Sequence, residues 1–331
     1  MRKIILINFS IILIIIFFLE FIIRFLNIVG IQGYEKEAFY FENGIIFSKP
    51  NKTFKVFGIK SKTDNNGFRI PLDNFSFKNN NNSILILGDS VTFGVGAKEK
   101  DTFIGILRNN LQKNLYNTAI FGHNIESYLY ILKKNYKKFN NEINEVVIFL
   151  CLNDLVPYQG ATLKEEKEKE KKDKINNFQK KIVRNNFAVK LNLFLRERSS
   201  LFVLLKGFVT NPIERHYNYM KVLYDNEKNL LGFEKFVKEI DEFMNKNDLK
   251  YRYVLLPYAH QVKNNCKKEL LKPQEIIKEI LNKKNLSLRD YTEEFCKIPN
   301  NNNLFLKYDP VHLSNYGHRF VSDLLMQDNI F

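Results

Sequence analysis

A short apolar run that breaks off into a polar turn constrains this chain more than any other stretch. Residues 84–87 read Ile-Leu-Ile-Leu, and Gly88, Asp89 and Ser90 follow at once. The run predicts a buried strand, and the small polar residues predict a tight strand-to-helix turn at its carboxyl end. Open α/β sheets place their reactive groups at that end, where the N–H groups of a following helix also point. Ser90 is therefore a candidate nucleophile.

Strand and helix patterns alternate along the rest of the chain, which has 331 residues. Further strands are predicted at 115–120, 145–152, 251–256 and 286–288, and helices at 101–111, 125–138, 230–244, 273–281 and 319–326. The alternation predicts an α/β fold with a parallel sheet and helices on both faces. We divide the chain into a transmembrane signal anchor (1–30), a lead-in of short strands and turns (31–83) and a catalytic domain (84–331).

Residues 4–29 form an apolar stretch that is long enough to cross a bilayer. Glu20 and Arg24 interrupt it at a spacing of four, which lets them pair on one helix face. Because Arg2 and Lys3 precede the stretch, we expect the amino terminus to stay cytoplasmic and the rest to lie outside. No small-x-small cleavage site follows, which favours an uncleaved single-pass anchor over a signal peptide.

The net charge and the cysteine content limit the kinds of molecule that this chain is expected to bind. The net charge is +15, but the Lys residues are interleaved with Asn and Glu, which indicates a solvated surface and not a nucleic-acid-binding one. Attraction to anionic lipid or to an acidic surface polymer is the alternative. Cys151 lies in a predicted core strand, whereas Cys266 and Cys296 can form a disulfide outside the cytoplasm. Whether they pair is open at this stage, and no Cys–His spacing suggests a zinc site.

Two parts of a predicted insertion at about 160–220 are distinctive. Residues 164–174 alternate Lys and Glu, which is typical of a solvent-exposed helix. Apolar residues return over 187–209 but are too broken by charges for a second membrane span. The insertion either caps the site or lies on the bilayer surface, and simple packing on the sheet is the alternative.

Polar residues follow several predicted strands, and their convergence predicts a catalytic site. Asp309 and His312 share one loop, so Asp309 or a nearby backbone carbonyl can fix the imidazole tautomer. His312 would then act as general base toward Ser90. The Ser90 N–H, the Gly122 N–H and the side-chain amide of Asn153 are candidate donors to an oxyanion.

Three other histidines compete with His312 for the role of base. His318 lies on the predicted last helix, where packing or solvent exposure is expected. His123 and His260 lie at loop ends, where contact with substrate is conceivable. We prefer His312 because it shares a loop with a carboxylate.

These residues resemble the motif blocks of the SGNH hydrolases, also called the GDSL-like esterase/lipase superfamily. The matching positions are Gly88-Asp89-Ser90, Gly122, Asn153-Asp154 and Asp309-Pro310-Val311-His312. The resemblance covers roughly residues 84–328 and departs from the family where Cys151 stands in place of a glycine. It implies a flavodoxin-like three-layer α/β/α fold and ester chemistry that needs no metal or organic cofactor. The anchor together with Asn-Asn-Gly-Phe-Arg at 65–69 resembles membrane-attached members that act on cell-surface material.

The sequence thus predicts a membrane-anchored serine esterase whose catalytic domain is extracytoplasmic. The expected substrates are O-acyl groups, O-acetyl above all, on cell-envelope carbohydrate or on small esters, and envelope-biosynthesis proteins are possible partners. Two alternatives stay open. One is an O-acyltransferase that uses the same residues on surface polysaccharide, and the other is a non-catalytic module that binds glycan or a partner.

Overall fold

A computed structural model describes residues 2–77, 83–111, 113–139, 142–155, 186–299 and 301–331. The described residues divide into two compact units. The first unit holds residues 2–34, 56–58 and 186–211, and the second holds the remaining described residues. The predicted Lys/Glu helix at 164–174 lies outside the described residues.

The strands of the described residues form three sheets. The strands are β1 (Phe39–Glu42), β2 (Ile45–Ser48), β3 (Thr53–Val56), β4 (Ile59–Thr63), β5 (Arg69–Ile70), β6 (Ser83–Leu87), β7 (Asn114–Asn117), β8 (Ile143–Leu150), β9 (Lys250–Leu255) and β10 (Leu288–Asp290). Strands β1 and β2 make an antiparallel hairpin, and β3, β4 and β5 make a small sheet. The other five strands form the central sheet.

The described residues contain twelve α-helices. They are α1 (Arg2–Phe25), α2 (Ser90–Phe93), α3 (Phe103–Asn110), α4 (Ile125–Phe139), α5 (Asn186–Arg198), α6 (Ser200–Thr210), α7 (Pro212–Leu223), α8 (Glu227–Lys246), α9 (Ala259–Lys263), α10 (Lys272–Asn282), α11 (Thr292–Lys297) and α12 (Asn315–Gln327). Five of these α-helices, α3, α4, α8, α10 and α12, correspond to the predicted helices. Short 3₁₀ helices lie at Lys36–Ala38, Glu99–Asp101, Leu152–Leu155, Lys268–Leu270 and Asn301–Leu304.

The central sheet has the strand order β7-β6-β8-β9-β10, and all four pairings are parallel. In chain order this is 2-1-3-4-5, the flavodoxin-like order of doubly wound proteins. The chain moves outward from β6 to β7 and then returns past β6 to β8, so the winding reverses between β6 and β8. Ligands of such sheets bind at the carboxyl ends of the strands beside this reversal.

Helices cover the central sheet because its strands are apolar on both faces. Every residue of β6 is buried, and so are the last five residues of β8. Since parallel crossovers are right-handed, a reversal of winding places α3 and α4 on opposite faces. Helix α3 packs with α12, and α4 packs with α8. The result is the predicted flavodoxin-like α/β/α arrangement.

Most predicted boundaries lie one to four residues from the observed ones, and two of the differences have a clear local cause. The last strand begins at Leu288 and not at Leu286, because Leu286 is buried before the strand starts and its apolar character mimics a strand residue. The last helix begins at Asn315 and not at Arg319, because the Ser314 side chain accepts a hydrogen bond from the Gly317 N–H and caps the helix.

A disulfide joins Cys266 and Cys296, which are 30 residues apart in the sequence. It links the segment after α9 to α11. Cys151 is buried as a free thiol at the end of β8. The pairing that the sequence left open is therefore made.

In the first unit, α1 is long and apolar enough to cross a membrane, and no other helix of the described residues is. Its 24 residues correspond to about 36 Å of helix, which exceeds the roughly 30 Å of a hydrocarbon core. Residues 4–19 are all exposed.

Candidate active site

Ser90 lies where the sequence predicts it, at the first residue of α2 and three residues after the end of β6. Asp89 caps this helix, because its carboxylate accepts a hydrogen bond from the Val91 N–H at 2.9 Å. Gly88 permits the turn, since a Cβ atom there would approach the Thr92 hydroxyl to 2.3 Å. The Ser90 side chain thus stands at the rim of the sheet beside β8.

His312 contacts Ser90 and Asp309 at the same time. Its Nε2 lies 2.9 Å from Ser90 Oγ, and its Nδ1 lies 2.8 Å from Asp309 Oδ2. Because a carboxylate can only accept, Nδ1 carries the proton and Nε2 is left to accept from the serine hydroxyl. The three side chains are arranged for the transfer of a proton from serine to histidine.

The loop that carries His312 is fixed by its own hydrogen bonds. Asp309 Oδ1 accepts from the N–H groups of Val311 and His312, at 2.9 and 2.8 Å. The Leu306 N–H donates to the His312 carbonyl at 2.9 Å. The imidazole therefore does not depend on a single contact for its orientation.

The charges of His312 and Asp309 stabilise each other in a buried place. Burial disfavours the imidazolium, but the carboxylate of Asp309 outweighs that effect and raises the pKa of His312 above its ordinary value. Burial also opposes ionisation of Asp309. The contacts of Asp309 with His312 and with backbone N–H groups outweigh burial and lower the pKa of the Asp309 carboxyl. Asp309 is therefore ionised at neutral pH and favours a positive charge on its neighbour.

Asn153 lies in the 3₁₀ helix directly after β8, across the winding reversal from Ser90. Its Nδ2 donates to Asp89 Oδ2 at 2.8 Å, and its Oδ1 accepts from the Tyr258 hydroxyl at 2.7 Å. The two contacts fix which end of the amide is the nitrogen. An amide nitrogen has two N–H groups, so one donates to Asp89 and the second is available to an oxyanion.

Gly122 lies in the turn after β7, on the other side of β6 from Asn153. Its φ is +79°, a conformation that favours glycine over any residue with a Cβ atom. The role of its N–H as an oxyanion donor stays a prediction, as do the roles of Ser90, Asn153, Asp309 and His312.

A second layer of buried polar groups supports Asn153. Asp154 Oδ2 accepts from the Cys151 N–H at 2.7 Å, and Asp154 Oδ1 accepts from the Tyr128 hydroxyl at 2.8 Å. Burial raises the pKa of Asp154 well above its ordinary value, and the nearby charge of Asp89 acts in the same direction. Since only the backbone N–H of Cys151 takes part, a side chain at this position in place of the family's glycine is compatible with the network.

Two residues near the site escaped the sequence analysis. Tyr258 follows β9, and its hydroxyl orients the Asn153 amide. His216 lies on α7, where its ring stacks on Tyr258 with 5.5 Å between ring centroids. Burial lowers the pKa of His216, while the charge of Asp309 opposes that shift. The sequence signal for Tyr258 was its position directly after a predicted strand, in Pro257-Tyr258. The sequence carries no local signal that places His216 near the site.

Arg69, from the segment at 65–69, reaches the loop that follows the nucleophile. Its guanidinium donates to the carbonyl of Phe93, to that of Gly94 at 2.8 Å and to that of Ala97 at 2.6 Å. It also lies 4.5 Å from the centroid of the Phe93 ring. Because Arg69 is buried, its pKa falls to about 9. The segment thus holds the turn after α2 in place.

The three histidines that compete with His312 for the role of base lie in different environments. His123 is buried and its Nε2 lies 2.8 Å from the Ile46 carbonyl, and burial lowers its pKa to about 4. His318 is buried against Phe103, and burial lowers its pKa to about 3. His260 stacks on Tyr217. His312 alone of the histidines in the described chain has a hydrogen bond to Ser90 among its contacts.

Among the described residues, no cluster of three His, Cys, Asp or Glu side chains is placed to hold a metal ion.

No protein-family model matches this chain, and no curated protein matches it either. Solved structures do resemble it. The psychrotrophic esterase EstA from a Pseudoalteromonas species is 13% identical, with a TM-score of 0.42 over 75% of this chain and 96% of that one. The lipase/acylhydrolase from Enterococcus faecalis is 15% identical, with a TM-score of 0.40 over 75% and 94%. A member of the lipolytic G-D-S-L family from Veillonella parvula is 14% identical, with a TM-score of 0.37 over 74% and 96%.

Proposed function

We propose that this protein is a serine esterase of the SGNH type that hydrolyses O-acyl esters. The observation that carries the proposal is the pair of contacts made by His312, 2.9 Å to the Ser90 hydroxyl and 2.8 Å to the Asp309 carboxylate. A serine hydroxyl is a weak nucleophile until a neighbouring base removes its proton. His312 is the base in this proposal, and Asp309 is the residue that orients it.

The reaction follows from these positions in two halves. Ser90 Oγ attacks the acyl carbon as its proton passes to His312, and the imidazolium then gives that proton to the departing alcohol. Water attacks the acyl-serine in the second half, again with His312 as base. In each half the negative oxygen is held by the Ser90 and Gly122 N–H groups and by Asn153 Nδ2. Loss of one such donor costs roughly 3 kcal/mol of transition-state stabilisation.

The proposed location is the outer face of a membrane, with residues 4–29 as an uncleaved anchor. Positive charges at Arg2 and Lys3 support a cytoplasmic amino terminus. The Cys266–Cys296 disulfide supports an oxidising compartment for the catalytic part. The proposed substrates are O-acyl groups, such as O-acetyl, on cell-envelope carbohydrate. Envelope-biosynthesis proteins are the corresponding proposed partners.

Ester hydrolysis is tested by replacing the nucleophile. We expect Ser90→Ala to remove hydrolysis of a chromogenic acetate ester and labelling by a fluorophosphonate, because the Ser90 hydroxyl lies 2.9 Å from Nε2 of the proposed base, His312. Ser287→Ala is the matched control, since Ser287 is exposed just before β10 and far along the chain from the motif blocks. Equal hydrolysis rates for the purified Ser90→Ala and parent proteins would contradict the proposal.

Transfer to a sugar is distinguished from hydrolysis by the product. We expect free acid to be the main product when the parent protein receives an acyl donor together with an oligosaccharide acceptor. Acylated oligosaccharide as the main product, lost in Ser90→Ala, would assign the same residues to an O-acyltransferase. If Ser90 does not react with the fluorophosphonate, the result would instead favour a non-catalytic module that binds glycan or a partner.

A further inference from the structure

Within the first unit, a carboxylate on α1 caps the amino end of α6. Glu20 Oε1 accepts from the Ser200 N–H at 2.9 Å, and Glu20 Oε2 accepts from the Leu201 N–H at 2.8 Å. The Ser199 hydroxyl donates to Oε2 at 2.9 Å. The first N–H groups of a helix lack partners inside that helix, and a carboxylate also complements the positive end of the helix dipole.

The cap is strengthened by Arg24, one turn further along α1. Its Nε donates to Glu20 Oε1 at 2.5 Å, and its second guanidinium nitrogen donates to the Arg198 carbonyl at 2.5 Å. The two charged residues that interrupt the apolar run thus both hold the segment between α5 and α6. Removal of α1 as a cleaved signal would take all of these contacts away.

Helix α6 crosses α1 at one level only. Ile23 is buried, and Glu20 and Ile22 are partly covered, whereas residues 4–19 are exposed along their whole length. Glu20 lies five residues from the end of α1, which is about 8 Å along the helix axis. Helix α6 has 11 residues and is about 16 Å long, half the thickness of a hydrocarbon core. These dimensions fit a helix that lies near one surface of a bilayer and does not span it.

The face of α6 that points away from its packing contacts is apolar. Ser200, Val203 and Gly207 are buried along one side. Leu205 is 54% exposed and Val209 is 85% exposed on the other. Helix α6 packs against α1, and both helices carry exposed apolar side chains. Interfacial helices bind bilayers with such a face at the boundary of headgroups and acyl chains.

We infer that α6 is a membrane-interface helix, held by Glu20 at the end of the anchor and seated with Leu205 and Val209 among lipid acyl chains. The inference rests on the proposed membrane anchoring by α1 and is independent of the proposed ester chemistry. The occupant of the apolar face is a phospholipid bilayer, because α6 packs against α1, and the exposed apolar stretch of α1 is the proposed membrane anchor.

The chain contains no Trp, so a single introduced Trp reports on its own surroundings. The full-length Val209→Trp protein is reconstituted in vesicles of phosphatidylcholine and phosphatidylglycerol, with and without bromine on acyl carbons near the headgroup. We expect bromine to lower the Trp emission about twofold or more, since Val209 would lie at that depth. Leu231→Trp is the matched control, because Leu231 is 58% exposed on α8 in the second unit. Its emission should stay unchanged.

Resistance to alkaline carbonate extraction is measured on the same samples. If the chain resists extraction but bromine does not change the emission of Val209→Trp, the inference about α6 is wrong and the membrane anchor is supported. Chemical cross-linking then tests whether a second copy of the chain covers the apolar face. Equal quenching at both Trp positions also overturns the assignment to α6. A chain that is extracted contradicts the anchor itself, and with it the inference. Ester hydrolysis assayed in parallel reports separately on the site.

The cap is tested by hydrogen exchange in the same vesicles. Glu20→Leu removes every acceptor oxygen and keeps α1 apolar, so we expect the Ser200 and Leu201 amides to exchange about tenfold faster or more. Glu20→Gln keeps one carbonyl acceptor and should give an intermediate rate. Unchanged exchange in Glu20→Leu would overturn the proposed cap.

Discussion

His312 is the residue on which the proposed chemistry depends, because its two ring nitrogens contact a nucleophile and a carboxylate. A general base must be neutral, and Asp309 raises the pKa of this imidazole. The rate of ester hydrolysis should therefore rise with pH through a pKa above the ordinary histidine value of about 6.5. The same carboxylate that orients the ring thus limits activity in acid.

Asp309→Asn separates these two effects. Loss of the negative charge removes what stabilises the imidazolium, so the pKa of His312 falls and the acid limb of kcat/KM moves to lower pH. The plateau rate should fall about 10²- to 10⁴-fold, because the ring loses its orienting acceptor. Asp323→Asn, on the exposed face of α12, is the control and should change neither quantity. An unshifted acid limb at full activity would contradict the assignment.

Tyr258 is expected to act through Asn153. We predict that Asn153→Ala lowers kcat about 10²- to 10³-fold, and that Tyr258→Phe lowers it about tenfold with little change in KM, because the amide loses one of its two fixed contacts. In the Asn153→Ala background, Tyr258→Phe should have almost no further effect. Tyr251→Phe in β9, whose hydroxyl contacts Asp241, serves as control. Additive losses would show that Tyr258 does not act through the amide.

At the scale of elements, the small sheet of the lead-in is joined to the nucleophile turn by one buried side chain. Arg69 begins β5 and donates to the carbonyl of Phe93, the last residue of α2, and to two carbonyls of the loop that follows it. A planar guanidinium has donors for all three, whereas an ammonium is a compact point charge on a flexible stem. Arg69 therefore links the lead-in to the turn that carries Ser90.

We predict that Arg69→Lys lowers the free energy of unfolding by about 2–4 kcal/mol, since carbonyls in a buried loop lose their donor. Urea unfolding of the detergent-solubilised protein measures the change. Arg319→Lys is the matched control, because Arg319 is exposed on α12. Equal stability of Arg69→Lys and the parent would mean that the loop is held by its other contacts.

How far the sequence predicts these elements depends on how local the signal is. The buried strands and the Gly88-Asp89-Ser90 turn follow from short patterns, and the flavodoxin-like order is as the resemblance implies. The contact of Arg69 with the loop after α2 and the stacking of His216 on Tyr258 join distant segments, and no spacing in the sequence encodes them. The sequence predicts the start of β10 two residues too early, because an apolar residue such as Leu286 can be buried in a loop as well as in a strand.

At the scale of the whole molecule, the disulfide closes a loop over the far end of the central sheet. A cross-link between residues 30 apart restricts the unfolded chain, which corresponds to about 3–4 kcal/mol on the loop-entropy relation. The bond leaves Ser90 and His312 untouched. It therefore acts on stability and not on the chemistry.

We predict that reduction lowers the free energy of unfolding by that amount while the initial rate of ester hydrolysis at moderate temperature is retained. Denaturant unfolding with and without a reductant measures the difference. A protein carrying both Cys266→Ser and Cys296→Ser should already have the lower stability and should not respond to the reductant. A response in that double variant would assign the effect to something other than this bond.

His312 and Ser90, the proposed base and nucleophile, are 222 residues apart in the sequence. During synthesis, the serine leaves the ribosome long before the histidine has been made, so the nascent protein carries an unassisted hydroxyl. In the proposed mechanism, ester cleavage can begin only after the loop of His312 has docked beside the turn that follows β6. Separation along the chain then delays the onset of activity until folding of the second unit is nearly finished, which keeps the growing polypeptide inert.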